Sequence, residues 1–408
     1  MDDLTGRPLL SAPRPTPPHL LSAPVPAYGT ASLCDVLPAA VHGFDLPAGP
    51  GDAWPSTGLR LPAADRVCVF LVDGLGWEQL RAHPAEAPFL TSLLDTSLAG
   101  SGQPITAGFP ATTATSLASV GTGLPPGEHG LVGYTVAAPG ARGGRRELMN
   151  QLRWQPWREP AHWQPHPTVF RLLERAGVTT GQVSLPMFAH TPLTQVALSG
   201  GTFLGRESGE ERMDTAAALL AGADRALVYT YYSDLDRAGH QHGVDSDEWR
   251  GQLMRVDTLA RRLAERLPPR SALYVTADHG MIDVPEEGRI DFDEDWELRA
   301  GVELLGGEGR ARHVYAVPGA AADVLAVWSE VLGEEMWVAS REEAVEAGWF
   351  GPRVADRVRG RIGDVVAAAR ADVAVVASRA EPGETSMVGL HGSMTPTEQL
   401  VPLLQVLT

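Results

Sequence analysis

The sequence predicts an α/β fold organised on a mainly parallel sheet, and three observations carry that expectation. From about residue 65 onward, short β-branched or aromatic runs alternate with segments of helical periodicity. The runs read as buried strands, as strands covered on both faces do. With 408 residues, 44% hydrophobic and 20% charged, the chain is long enough to bury a large core around such a sheet.

Taken in order, residues 1–28 are rich in Pro, Ala, Ser and Leu without a period and read as an extended or partly ordered arm. The first strand is expected over 67–72, followed by others over 179–185, 226–231 and 272–276. Pro110, the small residues after it, and Gly121 and Gly123 suggest a helix that starts near Thr112 and ends at the glycines. A helix over 168–176 is closed by Gly177. A longer one over 247–267 has Ser246 as its N-cap and Asp247 and Glu248 in its first turn. Its apolar positions Leu253, Val256, Ala260, Leu263 and Leu267 recur at threes and fours. After Asp283 the pattern changes to an acidic run, a Gly-rich turn and a mixed segment, which reads as an inserted α+β lobe. Core-like sequence resumes over 365–376, and Thr395-Pro-Thr-Glu398 has the residues of a capped helical turn. The expected organisation is an arm (1–28), a first part of the core (29–285), the lobe (286–355) and a second part of the core (356–408).

Composition excludes several functions. With 33 Lys+Arg against 50 Asp+Glu, the formal net charge is -17, which disfavours sequence-independent binding to nucleic acid or an anionic membrane. No lysine occurs, so a Walker A phosphate loop, a Schiff-base enzyme and a protein kinase are ruled out. Neither a G-x-S-x-G elbow nor a G-x-G-x-x-G fingerprint is present. Cys34 and Cys68 cannot staple a fold of this size, and Cys68 reads as a buried thiol. The longest apolar runs are far short of the roughly 18 residues that span a bilayer. The first residues lack the basic and apolar regions of a secretory signal, so a cytoplasmic location is expected.

The chemistry is signalled by polar residues placed directly after predicted strands. The first strand runs into Asp73-Gly-Leu-Gly76, the third into a segment holding Asp234, Asp236, His240 and His242, and the fourth into Asp278-His279-Gly280; His391-Gly392 comes near the end. In parallel sheets ligands bind outside the carboxyl ends of the strands. Nearby glycines let the backbone turn tightly and gather such side chains at one rim. Asp and neutral imidazole suit zinc or manganese. Two such ions, held about 3.5–4 Å apart, clamp the attacking and leaving oxygens of a phosphoryl displacement. A hydroxyl at the start of the helix near Thr112 is a credible nucleophile beside them.

At these residues the chain resembles the alkaline phosphatase superfamily, most closely its nucleotide pyrophosphatase/phosphodiesterase branch. The resemblance is carried, in order, by Asp73-Gly, the Phe109-Pro110 and threonine segment leading to Thr122-Gly-Leu-x-Pro-x-x-His129-Gly130, Asp236-x-x-x-His240, Asp278-His279-Gly280 and His391-Gly392. It covers roughly 65–282 and the last thirty or so residues, leaving the arm and lobe unexplained. It implies a three-layer α/β/α core with a smaller inserted lobe. It implies that Asp73, Thr113, Asp278 and His279 bind one zinc ion, and Asp236, His240 and His391 the other. Counting back from Thr122-Gly123, the branch's spacing puts the nucleophile at Thr113, with Thr112 the second choice. The implied reaction is hydrolysis of a phosphodiester or nucleotide pyrophosphate through a phosphothreonine, with a small nucleotide-like substrate. One departure concerns substrate contact: where the branch has an Asn after the His-Gly, this chain has Tyr134, whose hydroxyl can donate a hydrogen bond.

The same two-metal site would serve a phosphomonoesterase or phosphonate hydrolase, and a non-catalytic nucleotide-binding metalloprotein would have no need of Thr113. His242 or Asp234 could replace Asp236 or His240 as a ligand. His129 is expected to orient or pack, and His83, His162, His166, His190 and His313 to be ordinary histidines. Thr115, Ser116 and Ser119 read as small packing residues, 291–295 as a solvated acidic face, and Trp154, Trp157 and Trp163 as packing at a lobe interface.

Overall fold

A computed structural model describes residues 22–46, 54–140, 144–155 and 158–408 of the chain. Most of the arm, residues 1–21, and Trp157 lie outside the described residues. The elements used below are helix α1 (Leu33–His42), strand β1 (Arg66–Val72), α2 (Thr113–Thr122), α3 (Val169–Arg175), β2 (Thr179–Ser184), β3 (Thr202–Gly205), α4 (Gly209–Ala221), β4 (Ala226–Tyr232), α5 (Asp234–His242), α6 (Asp247–Ala264) and β5 (Ser271–Ala277). They continue with β6 (Val302–Glu308), β7 (Ala311–Ala316), α7 (Ala321–Leu332), β8 (Met336–Ser340), β9 (Val365–Ala369) and β10 (Leu403–Leu407).

The central sheet has the order β10-β5-β1-β4-β2-β3. Its first five strands by sequence are parallel, and β10 closes one edge antiparallel to β5. Every residue of β4 and β5, and all of β1 after Arg66, is buried, so both faces of the sheet are covered. Continuous burial on both faces selects continuous apolar runs, which is why these strands were legible in sequence. The parallel register sets β1, β4 and β5 side by side, with Val72, Tyr232 and Ala277 level at their carboxyl ends.

Local chemistry starts and stops the helices as expected. Thr168 caps α3 by accepting from the Arg171 amide at 3.1 Å, and Ser246 caps α6 by accepting from Trp249 at 3.2 Å. Thr112, in extended conformation, precedes α2, and Gly123 ends it with φ +68. A Cβ at Gly123 would lie 2.7 Å from Pro38 of α1 and 2.9 Å from Pro55, so glycine is required there by both conformation and space.

The lobe is a four-stranded antiparallel sheet of order β6-β7-β9-β8 with α7 packed on it. This differs from the expected boundary at residue 355. Strand β9, expected in the second part of the core, pairs with β7 and β8 in the middle of the lobe sheet, and Ala374–Val376 pairs with Arg289–Asp291 outside the central sheet. An apolar run such as Val-Val-Ala-Ala-Ala suits the buried middle of either sheet, and only the pairing partners distinguish them. The acidic run also differs from a solvated face. Asp291 accepts from the Ser378 amide at 3.1 Å, and Asp293 from the Arg379 and Ala380 amides at 2.8 and 3.0 Å.

Three groups tie the lobe to the rest. Tyr28, at the described end of the arm, donates to Trp349 O at 2.8 Å and accepts from the Phe109 amide at 2.9 Å. The Arg361 guanidinium lies 3.6 Å from the centre of the Trp163 ring, and Trp163 meets Trp154 edge-on, so these tryptophans pack as expected. Arg310, between β6 and β7, makes a bidentate pair with Glu398 at 2.8 and 2.7 Å, with both side chains fully buried. Glu398 was expected to serve only its own turn. Its carboxylate also accepts from the Ser393 amide at 3.0 Å, and Arg310 donates to Ala371 O and Val373 O at 2.9 and 2.7 Å. Removing one member leaves a buried charge without its partner. Glu398→Ala is therefore expected to lower unfolding free energy by about 3–5 kcal/mol in urea titration; a loss within about 0.5 kcal/mol, the range of ordinary surface substitutions, would refute that weight.

Candidate metal centre

The carboxyl ends of β1, β4 and β5 deliver the central residues. Asp73 follows β1, Asp278 and His279 follow β5, and α5 follows β4 with Asp236 and His240 one helical turn apart on one face. Gly74 makes the junction possible: its φ is +76, and a Cβ there would sit 3.1 Å from the backbone and side chain of Asp236. His391 arrives from the C-terminal segment, and its ring stacks on that of His279 with centroids 3.6 Å apart.

Two groups of ligating atoms result. Asp236, His240 and His391 form one, and Asp73, Asp236 and His279 the other, each with its atoms within 4.8 Å of one another. Asp236 is common to both. In the first group His240 Nε2 lies 3.4 Å from Asp236 Oδ2 and His391 Nε2 4.0 Å from Asp236 Oδ1. In the second, His279 Nε2 lies 3.3 Å from Asp73 Oδ1 and 3.5 Å from Asp278 Oδ2. Thr113, the first residue of α2, places its hydroxyl 3.4 Å from His279 Nε2.

The three imidazoles share an orientation. The Nδ1 atoms of His240, His279 and His391 face the carbonyl oxygens of Gly389, Gly280 and Ala111 at 2.7, 2.9 and 2.9 Å. A carbonyl only accepts, so each Nδ1 carries the proton and each Nε2 turns its lone pair to the centre. This is the arrangement by which a protein presents imidazole to a metal ion.

The carboxylates show what the centre lacks. Asp73 Oδ1, Asp236 Oδ1 and Asp278 Oδ2 are buried with no hydrogen-bond partner. Their opposite oxygens are held: Tyr231 donates its hydroxyl to Asp73 Oδ2, and the Gly74 and His279 amides each reach Asp278 Oδ1 at 3.1 Å. Burial, then the charges of Asp278 and Asp236, push the Asp73 carboxyl well above the usual carboxylate range. Burial chiefly raises Asp278 too, and burial with the neighbouring His279 and His240 lowers His391. Orphaned carboxylate oxygens facing unprotonated imidazole nitrogens form a donor set that fits divalent cations, with zinc-type ligands throughout.

Around the centre lie two cavities that share Thr113 and Asp236. The first, about 350 Å³, has mainly apolar walls including Leu117, Phe188, Leu193, Leu198 and Phe203. The second, about 460 Å³, lies toward the lobe and is lined by Tyr134, Glu308, Glu384 and His391. Tyr134, the residue at the branch's asparagine position, thus borders the cavity beside Thr113. The exposed Arg153 lines both cavities.

Of the alternatives, Asp234 pairs with Arg237 at 2.9 Å and His242 is exposed, so neither joins the centre. His129 is fully buried between Ser119 Oγ and the Leu131 amide, both at 3.0 Å, as an orienting residue. Ser116 does more than pack: its hydroxyl donates to Asp278 O at 2.7 Å. Sequence reasoning passed over Tyr231, Arg153, Glu308 and Glu384. Tyr231 was hidden as the penultimate residue of a fully buried strand. Glu308 lies in Gly306-Gly307-Glu308-Gly309, where glycines around one acid were the available signal.

Because burial and neighbouring charge raise the Asp73 and Asp278 carboxyls, cation binding must expel the protons they hold. Affinity for zinc is therefore expected to rise with pH through and above the ordinary carboxylate range, with net proton release. Calorimetric titration in buffers of different ionisation enthalpy measures it, and binding without proton release in mild acid would show that these carboxyls are not displaced.

The family model for type I phosphodiesterase/nucleotide pyrophosphatase matches residues 67–394. Comparison with curated proteins finds no match. Among solved structures, murine ectonucleotide pyrophosphatase/phosphodiesterase 5, an inactive form in complex with AMP, is similar with a TM-score of 0.62 and 19% identity, over 83% of this chain and 87% of that one. Its human counterpart has a TM-score of 0.62 and 17% identity, over 83% and 87%. Phosphonoacetate hydrolase from Sinorhizobium meliloti 1021 in complex with phosphonoformate has a TM-score of 0.64 and 19% identity, over 85% and 91%. These likenesses show the fold, an alkaline-phosphatase-like α/β core with a mainly parallel sheet. No helix among the described residues is long and apolar enough to cross a membrane. With its model matched over most of the length, the chain belongs to the type I phosphodiesterase/nucleotide pyrophosphatase family of phosphoester hydrolases.

Proposed function

We propose that the protein hydrolyses phosphodiester or nucleotide pyrophosphate bonds with Thr113 as nucleophile and two divalent cations, zinc by ligand type, as cofactors. The observation that carries this reading is the Thr113 hydroxyl at the start of α2, 3.4 Å from His279 Nε2 and beside two ligand groups that share Asp236. Asp73, Thr113, Asp278 and His279 would hold one ion, and Asp236, His240 and His391 the other. Bound there, the ions would lower the pKa of a coordinated hydroxyl and neutralise charge on the phosphoryl oxygens.

The chain's own residues do the rest. Thr113 Oγ forms the bond to phosphorus as the bond to the leaving oxygen breaks, and water then cleaves the phosphothreonine and restores the hydroxyl. The hydroxyl proton leaves with the alcohol or phosphate released in the first step. The Ser116 amide is the first in α2 bonded back into the helix, to Thr112 O at 2.9 Å, so the amides of the first turn before it are available to phosphoryl oxygens. Ser116 and Tyr231 fix Asp278 and Asp73, and the three carbonyls hold the imidazoles in register. The substrate proposed is small and nucleotide-like, with Tyr134 bordering the group attached to phosphorus.

Hydrolysis of bis-p-nitrophenyl phosphate, p-nitrophenyl phosphate and thymidine 5′-p-nitrophenyl phosphate by zinc-loaded protein tests this. Diester turnover is expected to exceed monoester turnover and to fall about 10³-fold or more in Thr113→Ala at unchanged metal content. Chelation should abolish it and zinc restore it. Monoester preference would move the activity to a phosphatase, and full activity in Thr113→Ala would assign the nucleophile elsewhere. Silence on all three substrates would favour a nucleotide-binding protein.

A further inference from the structure

The second cavity holds two acids that the hydrolytic chemistry leaves without a task. Glu308, at the end of β6, is 6% exposed and reaches toward the centre from the lobe. Its Oε2 lies 3.8 Å from His391 Nδ1. Its Oε1 is buried with no hydrogen-bond partner. Glu384 lines the same cavity, with Oε1 held by the Gly309 amide at 2.8 Å. Arg312, a neighbouring cation, pairs with Glu381 at 2.8 Å and donates to Val375 O at 2.8 Å, and its charge also acts on Glu384 and Glu308.

Glu308 has little freedom to find another partner. A Cβ on Gly392 would meet Glu308 Cγ at 2.8 Å, so the side chain is packed against the His391-Gly392 backbone. A buried acceptor without a donor is costly, and more so when it is a carboxylate. It is tolerated where a ligand completes it. The cavity that Glu308 lines has room for such a ligand and also borders Thr113 and Asp236. A group bound there is therefore one short arm away from the reacting phosphorus. The first cavity offers no acid apart from Asp73 and Asp236 of the centre itself. The two arms of a diester thus meet unlike surroundings, one apolar and one acidic.

We infer that the second cavity is a subsite for a protonated amine on one ester arm of the substrate, held by Glu308 with Glu384 beside it. The inference rests on the hydrolase reading and narrows it to aminoalkyl phosphoesters. The ammonium donates to the Glu308 side chain, while the apolar arm occupies the first cavity.

Calorimetric binding of 2-aminoethyl phosphate and propyl phosphate to the metal-loaded protein reads the subsite without turnover, because the ligands differ only by ammonium in place of methyl. The amine is expected to bind about tenfold tighter or more. That ratio should fall to within about twofold in Glu308→Gln, and shrink in Glu384→Gln, with metal content checked in each. Reading the ratio cancels any general change in phosphate affinity. Equal binding by the unmodified protein, or a ratio unchanged in both variants, overturns the inference. Turnover separates the two levels. Equal kcat/KM for the 2-aminoethyl and propyl p-nitrophenyl diesters overturns the subsite and leaves the hydrolase standing. A retained binding ratio without turnover of either supports the subsite and overturns the hydrolase reading.

Discussion

Mutual repulsion among Asp73, Asp236 and Asp278 is the constraint around which the rest of the molecule is arranged. Three carboxylates converge beyond the ends of adjacent parallel strands, each with a buried oxygen that nothing among the described residues satisfies. Such a cluster is unfavourable as it stands, since burial and like charge oppose ionisation of Asp73 and Asp278. It persists because the surrounding structure over-determines it. The Gly74 and His279 amides, the Tyr231 hydroxyl and the Gly74 turn fix the carboxylates from behind. Three backbone carbonyls fix the imidazoles that complete the set. Divalent cations held by these residues would relieve that repulsion, which is also what a phosphoryl-transfer site requires.

The lobe belongs to this arrangement. His391 is the only histidine of the two ligand groups that does not follow a strand of the parallel sheet or sit on α5, and it lies close to the segment that Glu398 anchors to Arg310. Glu308, from the neighbouring strand end, packs on Gly392 and approaches His391. The lobe and the second ligand group are therefore mechanically continuous. A loss at the Arg310–Glu398 pair would be felt in the position of His391 as well as in stability.

Much of this was legible because its physical causes are local. Strands buried on both faces are largely apolar, so β1, β4 and β5 stood out as runs. Caps at Thr168 and Ser246 and the stop at Gly123 follow from hydrogen bonds and dihedral angles within one turn. The choice of Asp236 and His240 over Asp234 and His242 was implied by the resemblance, whose Asp-x-x-x-His spacing puts the two on one face of a helix. Asp234 and His240 do not share that spacing, and the structure turns Asp234 to Arg237.

What the chain's sequence determined by itself was the parallel α/β core, the order of its strand-end acids and histidines, and the helix that begins with Thr113. Tertiary structure decided the rest. β9 joined the lobe because strand partners are chosen by long-range pairing, which an apolar run does not encode. Glu398 turned to Arg310 and Glu308 to the centre because buried charges and polar groups seek partners across the fold. Tyr231 met Asp73 because neighbouring strands in register bring their ends together. Contacts within a turn can be read along a chain; contacts between residues a hundred positions apart exist only once the sheet has closed.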